Sequence, residues 1–171
     1  MKFLELAKER YSVRKFDSRE IEKEKLDVIL EAARVAPTAT NAQPQKIYIV
    51  ESEEGMKKLS ECTPYCFNAK TAIIVCYDNE ESWKRSKFDG EDSGVIDSAI
   101  IGTHIMLQAA ELGLGTTWVG FFNPEKVSEN FNLPDNIIPK AIFPIGYPAE
   151  DCEPSEKHFK RKELSETVKY I

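Results

Sequence analysis

GVIDSAIIGTHIMLQAAELGLGTTWVG, residues 94–120, holds the longest helical pattern in the chain. From Gly94 to Leu112, Ile96, Ala99, Ile100, Thr103, Met106, Leu107 and Ala110 recur at helical intervals, and apolar residues fall on nearly every face. A helix of that kind is central, buried against a sheet or against another subunit. Gly113 is placed to cap it, and Thr116 to Val119 reads as a strand.

Upstream, Phe3, Leu4, Leu6 and Ala7 predict a short helix over 2–10, and Leu26, Ile29, Leu30 and Ala33 mark the buried stripe of a second over 22–35. Pro37 ends that helix. Lys46 to Val50 (KIYIV) reads as a strand, followed by a helix capped by Ser52. Thr71 to Tyr77 is β-branched and continuously apolar, as a strand covered on both faces is. Residues 78–92 are polar, with a lone Trp83, and read as a loop. Downstream, Asn123-Pro124 opens a short helix to about Phe131, and Ile138 to Tyr147 supplies a last strand. Residues 150–171 are polar and carry too little apolar surface for a core of their own. With no internal repeat or linker, residues 1–171 read as one layered α/β or α+β domain.

Composition narrows the function. At 171 residues, 42% hydrophobic and 30% charged, the chain reads as one soluble globular domain. Its longest apolar run, Ala72 to Tyr77, is far too short to span a bilayer, and MKFLELAKER is amphipathic rather than a secretory signal. A cytoplasmic location is expected. Cys62, Cys66, Cys76 and Cys152 form no CxxC pair and no zinc spacing with the two histidines, so no metal is expected. They read as reduced thiols, a Cys62/Cys66 redox pair being the alternative. A net charge of -6 excludes a general nucleic-acid binder. Against that acidic background stand two basic clusters: Arg10, Arg14 and Lys15, and then Lys157, Lys160, Arg161 and Lys162. Each alone reads as a solvated face; together they could converge on one anion.

The sequence has no GxSxG, Walker loop, HExxH or GxGxxG, and His104 and His158 read as ordinary structural or exposed histidines. An enzyme built this way takes its reactive atom from a cofactor. Three segments suit one. In Arg10-Tyr11-Ser12-Val13-Arg14 an extended backbone turns Arg10, Ser12 and Arg14 to one side, where the other reading is a solvated turn. Pro37-Thr38-Ala39-Thr40-Asn41-Ala42-Gln43-Pro44 is a stiff polar loop, or else an ordinary connection. Trp118-Val119-Gly120 ends a strand where a glycine allows close approach to a ring. A flavin mononucleotide makes matching demands: cations and a hydroxyl for its phosphate, and a flat apolar slot with backbone groups for its ring.

In order and spacing these segments resemble the nitroreductase family: RYSVRKF at Arg10 to Phe16, the stretch Ile29 to Val50, the helix and strand Ile96 to Gly120, IFPIGYPAE at Ile142 to Glu150, and RKELSETV at Arg161 to Val168. The resemblance implies an α+β fold, a central, mostly antiparallel sheet flanked by helices, in an intertwined homodimer with an FMN site at each interface. It implies that Arg10, Ser12 and Arg14 hold the phosphate and ribityl chain, helped by Lys160 or Arg161. Pro37, Thr38, Ala39 and Asn41 would come from the partner subunit, Asn68 would lie near the ring, and the backbone of Trp118, Val119 and Gly120 would line it. The tail, 150–171, would wrap the partner. NAD(P)H would be co-substrate and a nitroaromatic, quinone or similar small molecule the acceptor, with no side chain acting as catalytic acid or base. The alternatives are other flavin chemistry (dehalogenation or flavin breakdown) and non-catalytic flavin binding or storage. Gln45, where an aromatic commonly follows the QP pair, and Gly120, where some relatives are acidic, depart from the pattern.

Overall fold

Eight consecutive buried residues, TAIIVCYD, form the centre of the molecule as strand β2 (Thr71–Asp78) in the computed structural model, which describes residues 2–171. A strand with neither side chain row in water needs cover on both faces, and it has it. Strand β1 (Gln45–Val50) pairs with one edge of β2 and β4 (Ile137–Gly146) with the other, and β3 (Gly115–Thr116) pairs with β4, giving the order β1-β2-β4-β3. Every ladder is antiparallel. One face of the sheet, carrying Ile73, Val75, Ala141, Phe143 and Ile145, packs on Ile29 and Ala33 of α2 (Lys23–Arg34) and on Ile101, Ile105 and Ala109 of α4 (Gly94–Glu111). The opposite face, with Ala72, Ile74, Cys76 and Ile142, packs on Leu59 of α3 (Glu53–Ser60) and Val127 of α5 (Pro124–Phe131). The result is a sheet between two helical layers, the α+β arrangement expected.

Local signals fix the helix starts. The Ser52 hydroxyl accepts from Gly55 N at 3.0 Å, and Asn123 Oδ1 accepts from Lys126 N at 3.0 Å with Pro124 in the first turn. Helix α1 (Phe3–Glu9) precedes the extended segment that carries the arginines.

Two expectations need correction. Strand Thr116 to Val119 ends at Thr116, because the next register position faces Pro144, which has no N–H to return; Thr117 N reaches the Pro144 carbonyl only at 3.4 Å. Pairing resumes as an isolated bridge between Val119 and Ile142. In α4 the buried stripe is Gly94, Asp97, Ser98, Ile101, Gly102, Ile105 and Ala109, while Ile96 and Thr103 face outward. Small residues draw the helix onto the sheet: a Cβ added at Gly94 would lie 2.0 Å from the Tyr77 ring, and one at Gly102 would lie 2.7 Å from Phe143. Val95 and Ile96 are left more than half exposed. Residues 79–93 form a turn-rich loop in which Arg85 is bridged to Asp89 and Glu91. No described helix is long and apolar enough to cross a membrane.

Candidate functional site

After α1 the chain runs extended beside β3. Val13 N donates to the Thr116 carbonyl at 3.0 Å, Ser12 bridges to Thr116, and the Thr117 hydroxyl donates to the Val13 carbonyl. The approach requires glycine at 115, where an added Cβ would stand 2.4 Å from Val13. With Val13 buried, Arg10, Tyr11, Ser12 and Arg14 line a hollow of about 250 Å³. Its other wall is the tail: Ser155, Lys157, His158 and Arg161. Ala149 N donates to the Lys15 carbonyl (3.0 Å), Tyr11 OH to the Cys152 carbonyl (3.0 Å) and His158 Nε2 to the Lys8 carbonyl (3.0 Å), and Lys15 pairs with Asp151; these four contacts hold the tail there.

The electrostatics of this corner are one-sided. The chain has six arginines. Arg19, Arg34 and Arg85 each pair with a carboxylate. Arg10, Arg14 and Arg161 pair with none among the described residues, and all three line this one hollow. Burial, and then the charge of Arg161, pull the Arg10 guanidinium below its ordinary pKa. An anion of high charge and several acceptor oxygens, such as a phosphate monoester, relieves that repulsion and fits the donor set.

Arg14 also lines a second hollow, of about 300 Å³, with Tyr65, Phe67, Thr117, Trp118, Val119, Gly120 and Phe121. Arg14 is thus common to the linings of the two hollows, and its guanidinium donates to the Ser12 carbonyl at 3.3 Å. Trp118 packs edge-on to Phe143 at 4.9 Å over Gly102, and Val119 is pinned by its paired bonds to Ile142. A Cβ at Gly120 would meet nothing within 4 Å, so the glycine leaves this mouth open. Tyr65 stacks on Phe67 (5.9 Å, 28°) and meets Phe121 edge-on (5.7 Å, 69°). An aromatic slot of this kind beside a phosphate corner fits the ring and phosphate of a flavin mononucleotide.

The structure thus gathers Arg10, Ser12, Arg14 and Arg161 in one hollow, and Trp118, Val119 and Gly120 in the adjoining one. Lys160 lines neither; the turn Glu156–Phe159 presents Lys157 and His158 instead. Asn68 is exposed beside the slot, and it and Phe67 adopt left-handed φ of 56° and 52°. Pro37, Thr38, Ala39 and Asn41 line neither hollow. Their loop is nonetheless shaped: Thr40, Asn41 and Gln43 are left-handed, and Asp97 on α4 accepts from Ala39 N and from the Ser93 hydroxyl, each at 2.9 Å. Strain of that kind clusters at functional loops. The sequence does not single out Tyr65, Phe67 and Phe121, whose aromatic content is the available signal, or His158; Lys157 belongs to the second basic cluster, from which the resemblance selects Lys160 or Arg161 instead. Burial pushes the Cys62 and Cys66 thiols up, which keeps both protonated near neutrality, and no group of metal-binding side chains exists among the described residues.

Fold and site together define an α+β protein with an arginine-lined hollow beside an aromatic slot, Arg14 lining both. Comparison with known proteins carries this further. The model of the Nitroreductase family matches residues 7–63 and 62–147. A Methanothermobacter thermautotrophicus protein bearing the name NADH dehydrogenase/NAD(P)H nitroreductase is 36% identical over 158 residues, 88% of this chain and 80% of its own. A nitroreductase family protein of Clostridium difficile superposes with a TM-score of 0.93 at 46% identity, covering 99% of this chain and 98% of the other. An FMN-dependent nitroreductase, also of Clostridium difficile, gives 0.80 at 27% identity, covering 98% of each chain. The chain belongs to the nitroreductase family.

Proposed function

We propose that this protein is an FMN-dependent oxidoreductase that oxidises NAD(P)H and reduces a nitroaromatic, a quinone or a similar small acceptor by a ping-pong mechanism. The observation that carries the reading is the convergence on one hollow of three arginines that pair with no carboxylate among the described residues, one of them, Arg14, lining the aromatic slot as well. Relatives bearing the names NAD(P)H nitroreductase and FMN-dependent nitroreductase support the cofactor and the reductant.

Arg10, Ser12, Arg14 and Arg161 hold the phosphate end, and Trp118, Val119 and Gly120 line the ring. Bound FMN supplies a two-electron carrier that accepts hydride from reduced nicotinamide and passes electrons to the acceptor. The nicotinamide and the acceptor would use the same slot in turn, the nicotinamide leaving before the acceptor enters. The protein acts as a homodimer. Pro37, Thr38, Ala39 and Asn41 reach the partner's site, and residues 162–171, all exposed, extend onto the partner. Four free cysteines suit a reducing cytoplasm.

The test is anaerobic mixing of FMN-loaded protein with NADH and with NADPH, followed by an acceptor. At least one nucleotide bleaches the flavin, and 4-nitrobenzyl alcohol or menadione restores its colour. Flavin that stays oxidised with both nucleotides contradicts the enzyme reading and leaves a binding protein.

A further inference from the structure

Two segments distant in sequence form the outer walls of the aromatic slot, and one buried side chain joins them. Thr63 is 2% exposed. Its hydroxyl donates to the Phe121 carbonyl at 2.7 Å and accepts from Tyr65 N at 3.3 Å. A second tie, Asn123 N to the Cys62 carbonyl at 2.9 Å, lies next to it. The hydroxyl fixes where Tyr65 and Phe121 stand relative to each other. Tyr65 in turn covers Phe67, on the left-handed bend that ends this wall. Phe121 is 72% exposed and has no core to pack in, so its place is set by its backbone. A large exposed aromatic held beside a hollow is a contact surface for something flat.

We propose that Thr63 is a positioning residue for acceptor specificity: it holds the Tyr65–Phe121 corner so that the slot favours flat aromatic acceptors over compact ions. The proposal rests on the reading that the slot takes the flavin ring and its reaction partners. Valine at position 63 keeps the volume and removes the hydroxyl, freeing the Phe121 carbonyl and Tyr65 N–H. Serine keeps the hydroxyl.

The experiment is calorimetric titration of oxidised, FMN-loaded protein with 4-nitrobenzyl alcohol, a neutral flat probe, in the absence of NAD(P)H. An aromatic pair contributes enough that Thr63→Val should weaken the probe about threefold to tenfold, and Thr63→Ser should stay within about twofold of wild type. Phe121→Ala, at an exposed position, should weaken it comparably, and adding Thr63→Val to Phe121→Ala should weaken it by less than Thr63→Val does alone. In turnover, Thr63→Val should raise KM for the aromatic acceptor more than KM for ferricyanide. If Thr63→Val does not fold, Phe121→Ala decides: wild-type probe affinity in that variant overturns the proposal. So does a Thr63→Val protein with wild-type affinity, a Thr63→Ser protein as weak as the valine variant, or equal KM changes for both acceptors. Wild-type protein that takes up no FMN overturns this proposal and the functional reading together; a normal flavoprotein insensitive at Thr63 and Phe121 overturns this one alone.

Discussion

Arg14 lines both the basic hollow and the aromatic slot. Arg10 and Arg161 already repel each other there, so any anion that enters meets donors that have no competing carboxylate. Removing one charge-assisted bond costs about 1.5–3 kcal/mol, so Arg10→Ala and Arg14→Ala should each weaken FMN by roughly tenfold to a hundredfold. Riboflavin, which lacks the phosphate, should bind Arg10→Ala nearly as well as wild type and should lose less than FMN does in Arg14→Ala, because Arg14 also lines the slot. Lys15→Ala is the control. Its side chain pairs with Asp151 at the surface, and the Tyr11 and His158 bonds still hold the tail without it. Fluorescence titration of the three variants with both flavins reads this out; equal losses for all three would replace a directed anchor with a diffuse field. The basic clusters were visible in the sequence, and their convergence was suggested by the acidic background. Which tail residues face inward was not, because a four-residue turn at Glu156–Phe159 decides between Lys157 and Lys160, and no periodicity reports it.

Elements differ in how plainly the sequence announces them. Strand β2 and the caps at Ser52 and Asn123 follow directly from residue types, because burial on both faces and side-chain capping are local demands. Strand β3 was overextended, because the residue that stops it, Pro144, lies on the neighbouring strand. In α4 apolar residues on nearly every face leave the buried side unassigned; Gly94, Ser98 and Gly102, all small and buried, settle it by bringing the helix onto the sheet, while Ile96 faces outward. Gly115 is the contact between β3 and the arginine segment. Gly115→Ala places a methyl against Val13 and should cost about 1–3 kcal/mol in urea unfolding while also weakening FMN, whereas Gly120→Ala, facing open space, should unfold like wild type. Equal unfolding midpoints for Gly115→Ala and wild type would show that the segment yields without cost. Within β2, burial pushes Cys76 from its ordinary 9.0 up to about 12. The folded state then keeps a proton that the unfolded chain releases, so this contribution is intact below pH 9 and fades as pH rises toward 12. Between about pH 8 and about pH 10.5, Cys76→Ala should lose less of its stability than wild type does. Identical losses would mean that the thiol titrates normally.

For the whole molecule, the features left unsatisfied in one chain point the same way. Val95 and Ile96 on α4, Val28 on α2 and Val35 just past its end are exposed, and Leu164, Val168, Tyr170 and Ile171 have no core of their own. The strained loop 37–44 is held rigid by Asp97 yet faces neither hollow of its own chain. The two-fold dimer proposed above would cover that apolar surface and would bring the loop to the partner's site, whereas a monomer would leave both unused. Sedimentation of the FMN-loaded protein, followed by flavin absorbance, tests this account most directly. Flavin should sediment with a species of two chains, one FMN to each. Flavin that stays behind as free cofactor, or that travels tightly bound to a single chain, would contradict it.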